Sequence, residues 1–150
     1  MIFNPRLAAS ISLGIGGVIL AGMGVYFIVL RPPILPEDAR YIGASLAQLE
    51  ASVPRILPWL ARVFTVLGGQ MIATGSLTIY VAVTSFRKPT KATIAVVAFS
   101  GSASMGMMVI INFLIDSDFK WILLAFTLPW FVALLAPYLE NAGSRPDADR

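Results

Sequence analysis

Hydrophobic and polar positions along this chain are segregated rather than interleaved. Four apolar runs, residues 7–30, 63–86, 92–115 and 121–139, contain no Asp, Glu, Lys, Arg, His or Cys. A helix rises about 1.5 Å per residue and a bilayer core is about 30 Å thick, so about 20 apolar residues suffice for one crossing. Each run meets that length, which predicts four transmembrane helices packed as a bundle. The first run is longer than the apolar core of a secretory signal, about 7 to 15 residues, and meets Arg31-Pro32-Pro33 instead of a small-residue cleavage site. It is expected to stay as a span.

The one long connection covers residues 31–62. Its start is held extended by Pro32, Pro33 and Pro36, because each proline disfavours helical geometry in its predecessor. From Glu37 onward Ala39, Ile42, Leu46, Leu49 and Val53 recur at helical spacing among polar residues, predicting one amphipathic helix over residues 37–52 on the extracytoplasmic surface. Pro36 at its first position and acidic Glu37 and Asp38 in its first turn fit a helix start. In the fourth run Pro129 removes a backbone donor, which predicts a bend.

Composition narrows the class. The chain has 150 residues, 57% of them hydrophobic and 13% charged, where soluble domains carry about 25% charged residues. This predicts an all-α integral membrane protein with a single membrane domain over residues 1–150, and a disordered polar tail over residues 141–150. The net charge of +3 lies in the segments flanking the runs, so it reads as a topology signal and not as a nucleic-acid surface. The tight Arg87-Lys88-Pro89-Thr90-Lys91 hairpin marks the cytoplasmic side by the positive-inside rule. Both termini are then cytoplasmic. The layout is similar to that of small bacterial four-span proteins, which suggests a bacterial inner membrane and carries over no functional residue.

Chemistry is sparse. The absence of His and Cys removes His-ligated haem, thiolate nucleophiles and cysteine-held clusters, and the span serines have no adjacent base to activate them. No catalytic residue, metal or cofactor is expected. Ser10, Gly14, Gly17, Ala21 and Gly24 share one stripe of the first span, where small side chains let another backbone approach closely. Gly68, Gly69, Ala73, Gly75 and Ser76 in the second span, with Gly69 and Ala73 foremost, and Ala98, Ser102 and Gly106 in the third, are candidates for the same role. Gln70 and Asn112 are the only strongly polar side chains within the runs, and they are expected to hydrogen-bond between the second and third spans. Ser117 and Asp118 are read as the cap of the fourth helix, where side-chain oxygens accept from free N–H groups.

These features point to a non-catalytic accessory or assembly subunit that packs against a larger membrane complex. The expected partners are membrane lipids and other transmembrane subunits or further copies of the chain. A small oligomeric transporter and a lipid-binding membrane protein are the alternatives. Proton coupling normally needs an ionisable group at depth, and the runs contain none.

Overall fold

A computed structural model describes residues 4–143, with side chains described to residue 136. Among the described residues all regular structure is helical. The order is α1 (Pro5–Val29), α2 (Pro36–Ile42), α3 (Leu46–Ser52), α4 (Ile56–Thr84), α5 (Lys91–Gly101), a π-helical turn (Ser102–Gly106), α6 (Met107–Leu114), α7 (Lys120–Phe126) and α8 (Leu128–Gly143). The helix starts follow local chemistry. Asn4 accepts hydrogen bonds from the Arg6 and Leu7 amides at 3.1 and 3.2 Å with Pro5 next in line. Thr90 accepts from the Thr93 amide at 3.1 Å at the head of α5. Each satisfies donors that a helix N-terminus leaves free.

Three helices are long and apolar enough to cross a membrane: α1, α4, and the continuous rod Lys91–Leu114 formed by α5, the π turn and α6. The fourth apolar run departs from a single rod. It is divided at Thr127 into α7 and α8, and its described apolar stretch is the shorter Lys120–Ala136. Pro129 has no N–H to offer the carbonyl of Ala125, one turn back, so the ladder cannot continue unbroken. The Thr127 carbonyl instead accepts from the Trp130 and Phe131 amides. Helix α8 runs to Gly143, into the segment expected to be a tail, and residues 144–150 lie outside the described residues.

The expected amphipathic helix over residues 37–52 is likewise two helices. Gly43 adopts φ 74°, the left-handed conformation that ends helices at little steric cost to glycine. Ser45 then opens α3 with a reciprocal cap, its hydroxyl accepting from the Gln48 amide at 3.3 Å and its own amide donating to Gln48 Oε1 at 2.8 Å. The face of α2 is also reversed: Glu37 is 2% exposed, whereas Tyr41 and Ile42 are 68% and 51% exposed.

Helix α1 is the axis of the molecule, packed between α4 and α8. Its small residues meet α4 backbone to backbone. A Cβ at Gly17 would fall 2.8 Å from the Gly75 carbonyl oxygen, one at Gly24 would fall 2.5 Å from that of Gly68, and one at Gly75 would fall 2.7 Å from the Ala21 amide nitrogen. Ser10 extends the seam by donating to the Ala82 carbonyl, and Gly14 faces the Ala82 methyl. The α1 stripe therefore does pack a helix, and its partner is internal. Of the small residues the second span offers, Gly68 and Gly75 make the contact on α4, whereas Gly69 and Ala73 are exposed; nothing lies within 4 Å of a Cβ at Gly69.

On its other side α1 receives Trp130 of α8. The indole is 4% exposed and spans two glycines: a Cβ at Gly16 would sit 2.6 Å from its Nε1, and one at Gly101 would sit 2.5 Å from its Cε3. Trp130 thus links α1 to α5, with Met105 of the π turn, 1% exposed, in the same core. Ser102 and Gly106, expected to pack the third span, are exposed and half-buried respectively; the contact glycine on that helix is Gly101.

Overpacking a close contact costs about 1–3 kcal/mol. Gly17→Leu and Gly75→Leu should each lower stability by about that amount or more, while Gly69→Leu should change it by less than about 0.5 kcal/mol. Unfolding monitored by circular dichroism in neutral detergent checks the contrast.

Candidate functional site

Helix α6 makes little contact with α1. The space between them, closed by α7 on one side and by the 31–38 segment at one end, is a cavity of ≈ 710 Å³. Along α1 it extends from Ile19 to Phe27, about 12 Å at the helical rise. The walls are apolar and aromatic, with Met23, Phe27, Phe64, Met108, Leu123 and Phe126 among them. Ile111 and Ile122 line the cavity and are 46% and 51% exposed, so it communicates laterally with the outside of the bundle.

The end wall is charged. Arg31, at the foot of α1, lays its guanidinium over the Phe64 ring at 3.6 Å and beside the Phe27 ring at 5.4 Å from their centroids. The two rings meet edge-on at 5.9 Å, so one aromatic pair supports one cation. Its Nη2 donates to Asp38 Oδ2 at 3.0 Å, and Nη1 donates to the Pro32 carbonyl at 2.9 Å. Asp38 also accepts from the Leu35 amide at 2.9 Å, which ties the proline-rich linker to the start of α2. Arg31 is therefore a folded-in fastener, with its side chain only 9% exposed.

Next to it Glu37 enters the bundle. Its Oε1 accepts from the Ser117 hydroxyl at 3.2 Å, and Ser117 is itself 1% exposed. The Ser117 oxygen accepts from the Phe119 amide at 3.1 Å, one residue before α7 begins. The expected cap is thus a turn contact that also reaches the long connection. Asp118 does not cap; it pairs with Arg40 at 2.8 Å, on the surface. Asp116, at φ 53°, pairs with Lys120. The hydrogen bond from Lys120, then its charge, holds the Asp116 carboxyl below the usual carboxylate range, and the bond to Asp118 raises Arg40.

The expected Gln70–Asn112 pair does not form. Gln70 is exposed on α4, facing away from the bundle, whereas Asn112 lines the cavity and donates from Nδ2 to the Met108 carbonyl at 2.9 Å. Periodicity assigns only a face to each residue, and α4 and α6 are separated by the cavity. Sequence reasoning also missed Glu37 and Arg31. Glu37 beside Pro36 reads like any first-turn acid, and Arg31 like any residue at a span end. The usable signal was Gly43: ending α2 there leaves Tyr41 and Ile42 adjacent, with no apolar stripe to bury.

Comparison with protein-family models, with curated proteins and with solved structures gives no match for this chain.

Lysine keeps the charge at position 31 but has neither the planar stacking surface nor the forked donors. Arg31→Lys should loosen the connection by about 1.5–3 kcal/mol, the range for a hydrogen bond to a charged group. Faster hydrogen exchange over residues 32–42, with α4 unchanged, is the expected result.

Proposed function

We propose that this protein is a non-catalytic, four-pass integral membrane protein whose cavity between α1, α6 and α7 binds a small molecule with an apolar body. The single observation that carries the reading is the cavity itself: ≈ 710 Å³, apolar along its walls, and polar at one end only. Binding sites for small molecules typically measure about 300–1,000 Å³ and combine apolar walls with a few placed polar groups. Lateral access past Ile111 and Ile122 suits a ligand that arrives from the hydrocarbon phase. The exposed apolar side chains of the three long helices, among them Val18, Leu77, Val96 and Phe99, support residence in a bilayer.

In this reading α7 and α8 together make the fourth crossing, bent at Pro129, and α2 and α3 lie at the extracytoplasmic surface. The basic hairpin Arg87–Lys91 supports a cytoplasmic position for that loop and for both termini. A bacterial inner membrane is the proposed location. The lack of any His or Cys supports a binding role over catalysis.

A second reading, assembly with other transmembrane subunits or further copies of the chain, is favoured by one observation. Gly69, Gln70 and Ala73 stand exposed together on α4, a small-residue face with an amide beside it. Interhelical hydrogen bonds of this kind contribute about 0.6–2 kcal/mol in membranes.

Two measurements test these assignments. A reporter active only outside the cytoplasm, fused after Lys88, should be silent; activity there overturns the orientation. Met108→Trp should fill the cavity and abolish retention of a bound long-chain alcohol in native mass spectrometry from neutral detergent, with the fold intact by circular dichroism. Undiminished retention would remove the cavity as the binding site.

A further inference from the structure

The charged end of the cavity is unbalanced in a specific way. Arg31 is committed to Asp38, Arg40 to Asp118 and Lys120 to Asp116. Glu37 is the remaining carboxylate of this group, and its hydrogen-bond partner is a neutral hydroxyl, that of Ser117. Arg40 feels the charge of Glu37 only as a minor influence, is itself 58% exposed, and is held by Asp118. Glu37 is nevertheless 2% exposed and forms part of the cavity lining. A buried carboxylate without a counter-charge is costly unless a partner cation or several donors reach it.

We infer that the cavity binds a primary ammonium carried on an apolar body, with Glu37 as its anionic anchor. The inference rests on the reading of the cavity as a binding site and adds the chemistry of what it holds. An ammonium brings three donors and a positive charge, whereas among the described residues Glu37 has a single donor, the Ser117 hydroxyl. Asn112 lines the same space, and its Oδ1 is not used in the bond from Nδ2 to Met108, so it offers an acceptor. Tyr26 and Phe119 also belong to the lining, and aromatic rings attract cations over neutral groups. A fatty-acid anion fits this end poorly. Its carboxylate would meet Glu37 unshielded, and Arg31, the nearest cation in the lining, is occupied by Asp38 and by the Phe27 and Phe64 rings.

The test uses the full chain in neutral detergent and three probes of equal chain length: decylammonium, decanol and decanoate, with adducts counted by native mass spectrometry. Wild type should retain decylammonium at least tenfold more than decanol and decanoate. Glu37→Gln should bring the ammonium down to the level of the alcohol while alcohol retention stays the same. The wild-type comparison stands on its own should that variant fail to fold. Equal retention of ammonium and alcohol by the wild type, or a preference for decanoate, overturns the ammonium assignment and leaves the cavity as an apolar binding site. Retention of none of the three overturns both. Phosphatidylethanolamine added as competitor separates two sources of the same chemistry: displacement assigns the ammonium to a lipid headgroup, and persistence of the adduct assigns it to a free amine.

Discussion

Everything in this fold is arranged around the close approach of α1 and α4. Side chains hold most helix pairs about 8–10 Å apart, but here Gly17 faces Gly75 and Gly24 faces Gly68 with backbone atoms in contact. Between apolar surfaces in lipid no hydrophobic gain is available from pairing helices, so van der Waals contact of this intimacy is a main source of association. The contact recurs after seven residues on both helices, two turns apart. It therefore fixes register and rotation of the two helices together.

Fixing α1 against α4 decides what the rest of the chain is able to do. The opposite side of α1 is left to α8, which meets it with Trp130 seated over Gly16 and reaches on to Gly101. The rod Lys91–Leu114 is attached through that indole and through α7, where Phe113 and Trp121 meet edge-on at 5.1 Å. It is not laid along α1. The cavity is the consequence of this indirect attachment near the α2 end of the bundle. The long connection closes that end with an aromatic-supported arginine and carries a carboxylate inward.

Much of the architecture was legible without coordinates. The long charge-free runs produced the long apolar helices, Pro129 interrupts the fourth run, and the Ser10–Gly24 stripe marks a packing face. The candidate site was far less legible. Helical periodicity reports which residues share a face, yet nothing in it identifies the neighbour opposite, so Gly68 was not separable from Gly69, and Gly101, off the Ala98–Ser102–Gly106 spacing, was missed. Gln70 and Asn112 were alike as polar residues in apolar runs, and only one of them lines a cavity. Glu37 was read only as a helix-start acid, and an acid in a first turn satisfies that local rule whichever way the helix rolls.

The sequence by itself determined that the chain must be helical and lipid-compatible, because backbone polar groups in hydrocarbon have to be satisfied within their own segment and an apolar run offers nothing else. That constraint is local, and each run carries it in full. Only the tertiary structure decided that the small-residue stripe is consumed internally, that α6 stands away from α1, and that Glu37 turns inward to Ser117. Those outcomes depend on which surfaces meet across sequence separations of 44 to 80 residues, and packing at that range is settled by the shapes of both partners at once.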